Sequence, residues 1–247
     1  MKIFSIKTHK IRPRKQNLFE ILDKYLMPVK ERSIIAITSK IVSICEGRIS
    51  RIGTVDKKEL IEKEAEYFLP PEENKYNITL TIKGKLLIPT AGIDESNGNG
   101  YYVLWPENPQ KTANGVRKYL CDRFSIREVG VIITDSRTTP LRWGTTGIAI
   151  AYSGFLALND YIGKPDIFGR KLKIQKANVL DALAASAVLI MGEGGEQTPL
   201  AVIGDVPFVK FKNRNPSGKE LKELHTGIEG DLYSPLLKSV KWIKGKR

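Results

Sequence analysis

Gly130-Val131-Ile132-Ile133-Thr134-Asp135-Ser136 is the stretch on which the fold turns. Three β-branched apolar residues in succession, too few for a helix, predict a short buried strand over residues 130–134. The strand is expected to end directly at Asp135, which puts a carboxylate at its C-terminal edge. Residues 33–39 (SIIAITS) and 200–204 (LAVIG) have the same character and read as buried strands. Weaker strand patterns occupy 4–8, 77–82, 86–89, 101–104, 148–153 and 172–175, and Lys83-Gly84-Lys85 forms a turn between the second and third. Helical spacing marks 17–26, with Asn17 as its cap, and 109–124. An Ala- and Leu-rich helix over 178–191 stops at Gly192. Residues 56–69 (DKKELIEKEAEYFL) place Leu60, Ile61, Ala65, Phe68 and Leu69 on one helical face before Pro70 and Pro71. Strands and helices interleave without a strict βαβ rhythm, so the expected class is α+β, with mixed or antiparallel sheets and packed helices.

The chain has 247 residues, 41% hydrophobic and 27% charged, enough for a sizeable core without disulfides. No apolar run is long enough to span a bilayer, and residues 1–5 lack a signal core, so a cytoplasmic setting is expected, with Cys45 and Cys121 reduced. Net charge is +13, but residues 71–207 hold 15 Lys/Arg against 14 Asp/Glu. The excess therefore sits at the two ends and reads as solvated surface that attracts anions. A nucleic-acid partner would need an RNP, zinc-finger or KH-type signature, and none is present.

Four segments bring acids, hydroxyls and glycines to the ends of apolar runs. Residues 91–98 (AGIDESNG) offer Asp94 and Asn97, hard oxygen ligands suited to Mg²⁺ or Mn²⁺, or else an Asx-rich turn. Asp135 and Ser136 offer a carboxylate and a hydroxyl, followed by Arg137 and Arg142 for phosphate or carboxylate oxygens; an Asp capping a loop is the alternative. Met191, Gly192, Glu193, Gly194, Gly195, Glu196, Gln197 and Thr198 form a Gly-rich loop whose amides can approach an anion, with Glu193 as a second carboxylate. It follows a helix C-terminus, where the dipole disfavours phosphate, so a cation would have to compensate. Ser39 and Lys40 follow a buried strand, an arrangement that can hold triphosphate oxygens or merely leave the core. The P-loop and dinucleotide fingerprints are absent, and two ordinary histidines, His9 and His225, argue against a histidine metal site or a Ser-His-Asp triad.

Together these segments resemble the coenzyme F420-0:γ-glutamyl ligase family. The similarity is carried in order by TSKIVSICEGR (38–48), AGIDESNG (91–98), LWPENPQKTA (104–113), GVIITDS (130–136), LRWGTTGIAI (141–150), DYIGKPDIFGR (160–170) and MGEGGEQTP (191–199). The resemblance implies an acid–amino-acid ligase that joins L-glutamate to a γ-carboxylate through an acyl phosphate. GTP and Mg²⁺ or Mn²⁺ are its implied co-substrate and metal, and an intertwined homodimer its implied assembly. It implies that Asp94 and Asp135 hold one metal and Ser136 and Glu193 a second. Asp94, Asp135 and Arg142 are the implied catalytic residues. Ser39, Lys40, Asn97 and residues 191–198 are the implied nucleotide contacts, with 10–13 a weaker match. Ile44 departs from the Lys that family members often carry. DSRTTPLRWGTTGIAI and MGEGGEQTPLA resemble a subgroup thought to act in folate metabolism, so a folate is the first expected acceptor and coenzyme F420-0 the alternative. A non-catalytic nucleotide-binding protein and a nucleic-acid-binding protein are the readings from other classes. The ligase domain is expected over 1–210, with a basic extension over 211–247.

Overall fold

The computed structural model describes residues 1–13 and 15–246. The first half of the chain contains β1 (Lys2–Ile6), α1 (Leu18–Tyr25), β2 (Ser33–Thr38), α2 (Ser39–Glu46), β3 (Ile49–Arg51), α3 (Lys57–Glu64), β4 (Tyr67–Leu69), β5 (Leu80–Lys83), β6 (Leu86–Pro89) and β7 (Tyr101–Val103). The second half contains α4 (Pro109–Phe124), β8 (Val129–Thr138), β9 (Thr145–Ser153), β10 (Leu158–Asp160), β11 (Lys176–Asn178), α5 (Val179–Met191), β12 (Leu200–Gly204), α6 (Gly218–Leu224), α7 (Ser234–Leu237) and β13 (Ile243–Lys244). This is the α+β architecture that the pattern of runs implies. Among the described residues, no helix is long and apolar enough to cross a membrane.

The main sheet has the order β1-β12-β2-β8-β9, antiparallel except for the β2–β8 pair. Successive residues of β2 face opposite sides. Ile34 and Ala36 join Ile132, Ala201 and Ile203 beneath Leu180, Leu183, Ala184 and Ala187 of α5. Ile35 and Ile37 join Val131 and Ile133 against Leu22, Val42, Val116 and Leu120 of α1, α2 and α4. A strand covered on both faces must be apolar at every position, which is why SIIAI shows no alternation. Each such side chain contributes about 1.5–3 kcal/mol relative to exposure.

A second sheet, β13-β4-β5-β6, is wholly antiparallel. Gly84 and Lys85 link β5 to β6 with φ of 57° and 61°, the left-handed pair that a tight hairpin requires. With α3 this sheet encloses a small core of Ile61, Ala65, Phe68, Ala91, Ile93, Tyr102 and Leu104.

Three sequence expectations are corrected. The helix expected over 56–69 ends at Glu64, and Tyr67–Leu69 is β4, with Phe68 opposite Thr81. Sheet pairing buries Phe68 and Leu69 as well as a helical face would, and two aromatics favour the pleated form. The strand at 130–134 runs on through Asp135 to Thr138, paired with β9 as far as Thr138–Thr145, and its register shifts between Ile133 and Thr134. Asp135 therefore lies within a long hairpin arm and not at a strand end. The strand expected at 172–175 forms slightly later, as β11, opposite β10.

Residues 211–246 lie along the body. Leu221 and Leu224 of α6 pack against the α5 layer. β13 then adds to β4, and the amides of Gly245 and Lys246 donate to the carbonyls of Glu66 and Glu62, both at 2.9 Å.

Candidate functional site

A pocket of about 670 Å³ opens between the end of β2 with α2, the loop after β6, β8 and the loop after α5. The end of β2 hands the chain directly to α2, so Ser39 and Lys40 occupy a helix N-terminus at the pocket wall. Helical spacing of Ile41, Val42, Ile44 and Cys45, closed by Gly47 in the left-handed region at φ 74°, is the sequence signal for this unexpected helix. Asp94, Asn97 and Gly92 come from the loop after β6, and Thr134, Asp135 and Ser136 from β8. Met191, Gly192, Glu193, Gly194, Gly195, Glu196, Gln197 and Thr198, which follow α5, complete the wall.

Two loops far apart in sequence are tied together across the pocket: Asn97 donates its side-chain N–H to the Gly194 carbonyl at 2.9 Å. The 191–198 loop is also held internally, by Thr198 to the Met191 carbonyl and by the Gly194 amide to Glu196 Oε2 at 2.8 Å. Its Gln197 carbonyl accepts from the Thr8 amide at 2.9 Å.

The two aspartates have opposite electrostatics. Burial pushes the Asp94 carboxyl upward, but Lys40 Nζ, 2.6 Å from Oδ2, and the Ser96 amide at 2.7 Å from Oδ1 outweigh it and hold the group below the usual carboxylate range. Asp135 lies deeper, and loss of water raises its carboxyl to about 6. The Ser136 amide at 2.9 Å and the Trp105 indole N–H oppose that rise, while the Asp94 charge adds to it. Asp135 as an anion is thus short of positive charge, a deficit that a divalent cation suits.

Among the described residues no three His, Cys, Asp or Glu side chains cluster into a metal cage. Glu193 is exposed. Mg²⁺ at phosphate sites is commonly held by one or two carboxylates plus phosphate oxygens and water, and Asp94, Asp135 and Ser136 fit that kind of donor set.

Arg142 is not among the residues that line the pocket. It sits exposed at the tip of the β8–β9 arm, because β8 continues beyond the point where the sequence pattern implied an end. Residues that the sequence did not single out are His9, whose ring nitrogens contact the Tyr25 hydroxyl and the Gln16 side chain, and Trp105. Lys10 and Arg12 also reach the wall. Ile44 is buried at its edge. Burial and the nearby Glu46 and Glu20 charges push the Cys45 thiol up to about 12, which disfavours the reactive thiolate.

Comparison with known proteins bears on this geometry. Residues 5–205 match the family described as F420-0:Gamma-glutamyl ligase. A coenzyme F420:L-glutamate ligase of Methanococcus maripaludis is 36% identical over 220 residues, which cover 83% of this chain and 86% of that protein. A ligase of the same name from Methanocaldococcus jannaschii is 35% identical, covering 81% and 86%, and one from Archaeoglobus fulgidus is 31% identical, covering 85% and 87%. The chain is a γ-glutamyl ligase, an enzyme that forms amide bonds, and it belongs to the F420-0:γ-glutamyl ligase family.

Proposed function

We propose that this ligase adds L-glutamate to a carboxylate of coenzyme F420-0, with GTP as phosphoryl donor and Mg²⁺ or Mn²⁺ as its metal. The acceptor departs from the folate expected first. Relatives that span most of the chain are named for coenzyme F420 and L-glutamate, and they outweigh the likeness of two short segments to a folate subgroup.

One observation carries the reading: Lys40, Asp94, Asp135 and the 191–198 loop line the same pocket although up to 158 positions separate them. The N-terminus of α2 and the ammonium of Lys40 supply positive character for phosphate oxygens. The C-terminus of α5 supplies negative character for a cation. A bound divalent cation would neutralise phosphate charge beside Asp135. In the reaction, an acceptor carboxylate oxygen attacks the γ-phosphorus of GTP and GDP leaves. The amine of L-glutamate then attacks the acyl carbon, phosphate departs, and the amine releases a proton. The site provides alignment and charge, and no covalent enzyme intermediate is needed.

The test is mass spectrometry after incubation with GTP, Mn²⁺, L-glutamate and each of a deazaflavin and a folate acceptor. A gain of one glutamyl unit on coenzyme F420-0, with release of GDP, is expected. Gain on the folate alone would restore the first acceptor, and gain on neither would refute the function.

Assembly as a homodimer belongs to the same proposal. Leu141 and Trp143 at the tip of the β8–β9 arm, and Ile167, Phe168 and Ile174 between β10 and β11, stand almost fully exposed. Apolar groups in this number are unusual on a monomer surface. Light scattering is expected to give twice the chain mass, and Leu141→Asp/Trp143→Glu is expected to halve it; a monomeric parent would refute the assembly.

A further inference from the structure

Trp105 has no part in the chemistry above, yet its surroundings are unusually constrained. The residue follows β7 and is 5% exposed. A Cβ on Gly92 would lie 2.1 Å from the indole Nε1, so the ring occupies the space that any side chain at 92 would need. Gly92 also has a φ of 70°, which disfavours other residues there. On the far edge, a Cβ on Gly84 would stand 3.3 Å from the ring.

The ring is braced by charge. Lys83 Nζ sits 5.4 Å from the ring centroid. It donates to Glu64 Oε2 at 2.7 Å, and Glu64 accepts from Arg48 through both oxygens at 2.8 Å. Arg48 returns to the same tryptophan, donating Nε–H to its carbonyl at 3.1 Å. Backbone and ring of one residue are thus closed into a loop through three charged side chains. The single polar atom of the indole points out of that loop and donates to Asp135 Oδ2.

The indole therefore touches Gly92, two residues before Asp94, and at the same time holds the carboxylate of Asp135. The Ser136 amide takes the other oxygen, Oδ1, so each oxygen keeps an acceptor site free. We propose that Trp105 is a positioning residue: its N–H fixes the rotation of the Asp135 carboxylate, and its ring sets the spacing between Asp135 and the Asp94 loop. The Arg48–Glu64–Lys83 group keeps the ring from tipping. This rests on the reading that Asp135 works at the reaction centre.

The experiment compares Trp105→Phe, Asp135→Asn and the double variant in the full-length protein. A second replacement, β-(3-benzothienyl)alanine at 105, swaps the N–H for sulfur while keeping the bicyclic outline, and it serves if Phe loosens the fold. For the benzothienyl variant the unfolding temperature is expected to stay near the parent value, whereas the space left by Phe is expected to lower it. The rate constant kcat is expected to fall about 10- to 100-fold, as for other partners that orient ligating groups, with KM for the acceptor little changed. Affinity for Mn²⁺ alone, read from the paramagnetic signal of the free ion, is expected to fall in parallel. The double variant is expected to be no slower than Asp135→Asn, because the tryptophan acts through that carboxylate. An inactive Asp135→Asn beside a fully active benzothienyl variant overturns the role of Trp105 alone. Additive losses in the double variant overturn it too, by showing a merely structural contribution. An active Asp135→Asn overturns the reading of the site as well.

Discussion

Asp135→Asn is expected to slow glutamyl transfer at least about 100- to 1,000-fold while leaving the protein folded. The substitution keeps the shape of the side chain, but its one amide oxygen can accept from only one of the two N–H groups that Asp135 binds, Trp105 on Oδ2 and Ser136 on Oδ1. What disappears is a full negative charge at the floor of the pocket. That charge is already poorly compensated, since burial lifts the carboxyl to about 6 against an ordinary value of 3.8. Removing it relieves the fold of an unfavourable group. On the proposed function the reaction, by contrast, loses a carboxylate that would help hold the cation that neutralises phosphate charge. Losing one well-placed electrostatic contact in a transition state costs about 100- to 1,000-fold in kcat, and a metal-linked charge at least that. Product quantification by mass spectrometry beside a thermal melt makes the check. Parental turnover by Asp135→Asn would remove this residue from the chemistry.

Glu64→Gln is expected to produce the largest loss of stability in the small subdomain. The Glu64 side chain is 11% exposed and bridges Lys83, 6% exposed, and Arg48, 29% exposed. Without its carboxylate, Lys83 retains a buried ammonium beside a neutral amide. Breaking one side of such a pair typically costs about 3–5 kcal/mol, since the remaining charge stays desolvated. Urea unfolding followed by circular dichroism measures this directly. Lys83→Met combined with Glu64→Gln is expected to recover part of the loss, because the buried lysine charge that Glu64 had paired is then removed as well. A cost no larger than that of an ordinary surface substitution would show the group to be solvent-screened.

The same residue predicts a pH signature. Burial alone would raise the Glu64 carboxyl, but Lys83 and Arg48 outweigh it and hold the folded value below the unfolded value of about 4.5. A carboxyl depressed on folding contributes stability above its unfolded value and loses it as the pH falls through its folded value. The gap between parent and Glu64→Gln is therefore expected to be full at neutral pH and to narrow below about pH 4.5. An unchanged gap at low pH would assign the loss to packing.

Much of the pocket could be read from sequence because each of its walls begins where an apolar run stops. Asp94 follows KLLIP, Asp135 follows GVIIT, Ser39 follows SIIAIT, and the 191–198 loop follows the one long Ala-rich helix. Burial forces such runs into the core, so the polar residues after them must emerge at its rim. Arg142 escaped this logic. Beyond Asp135 the arm is two-stranded and solvated, so hydrophobic alternation no longer marks where β8 ends. The break between α3 and β4 was hidden because Phe68 and Leu69 satisfy a helical stripe and a strand pairing equally well. Trp105 was invisible for another reason: a tryptophan after a short strand looks like ordinary core. Only the fold reveals that its N–H meets a carboxylate thirty positions away.

The short outer strands β1 and β13 have a consequence for handling the protein. Each lies at the border of one sheet and screens the hydrogen-bonding rim of an inner strand, β1 over β12 and β13 over β4. A preparation clipped near either strand would leave backbone N–H and C=O groups unmatched along a β-branched or aromatic ribbon. Such a ribbon recruits another polypeptide by strand addition. Nicked material is therefore the fraction in which fibrous or soluble aggregates would first collect.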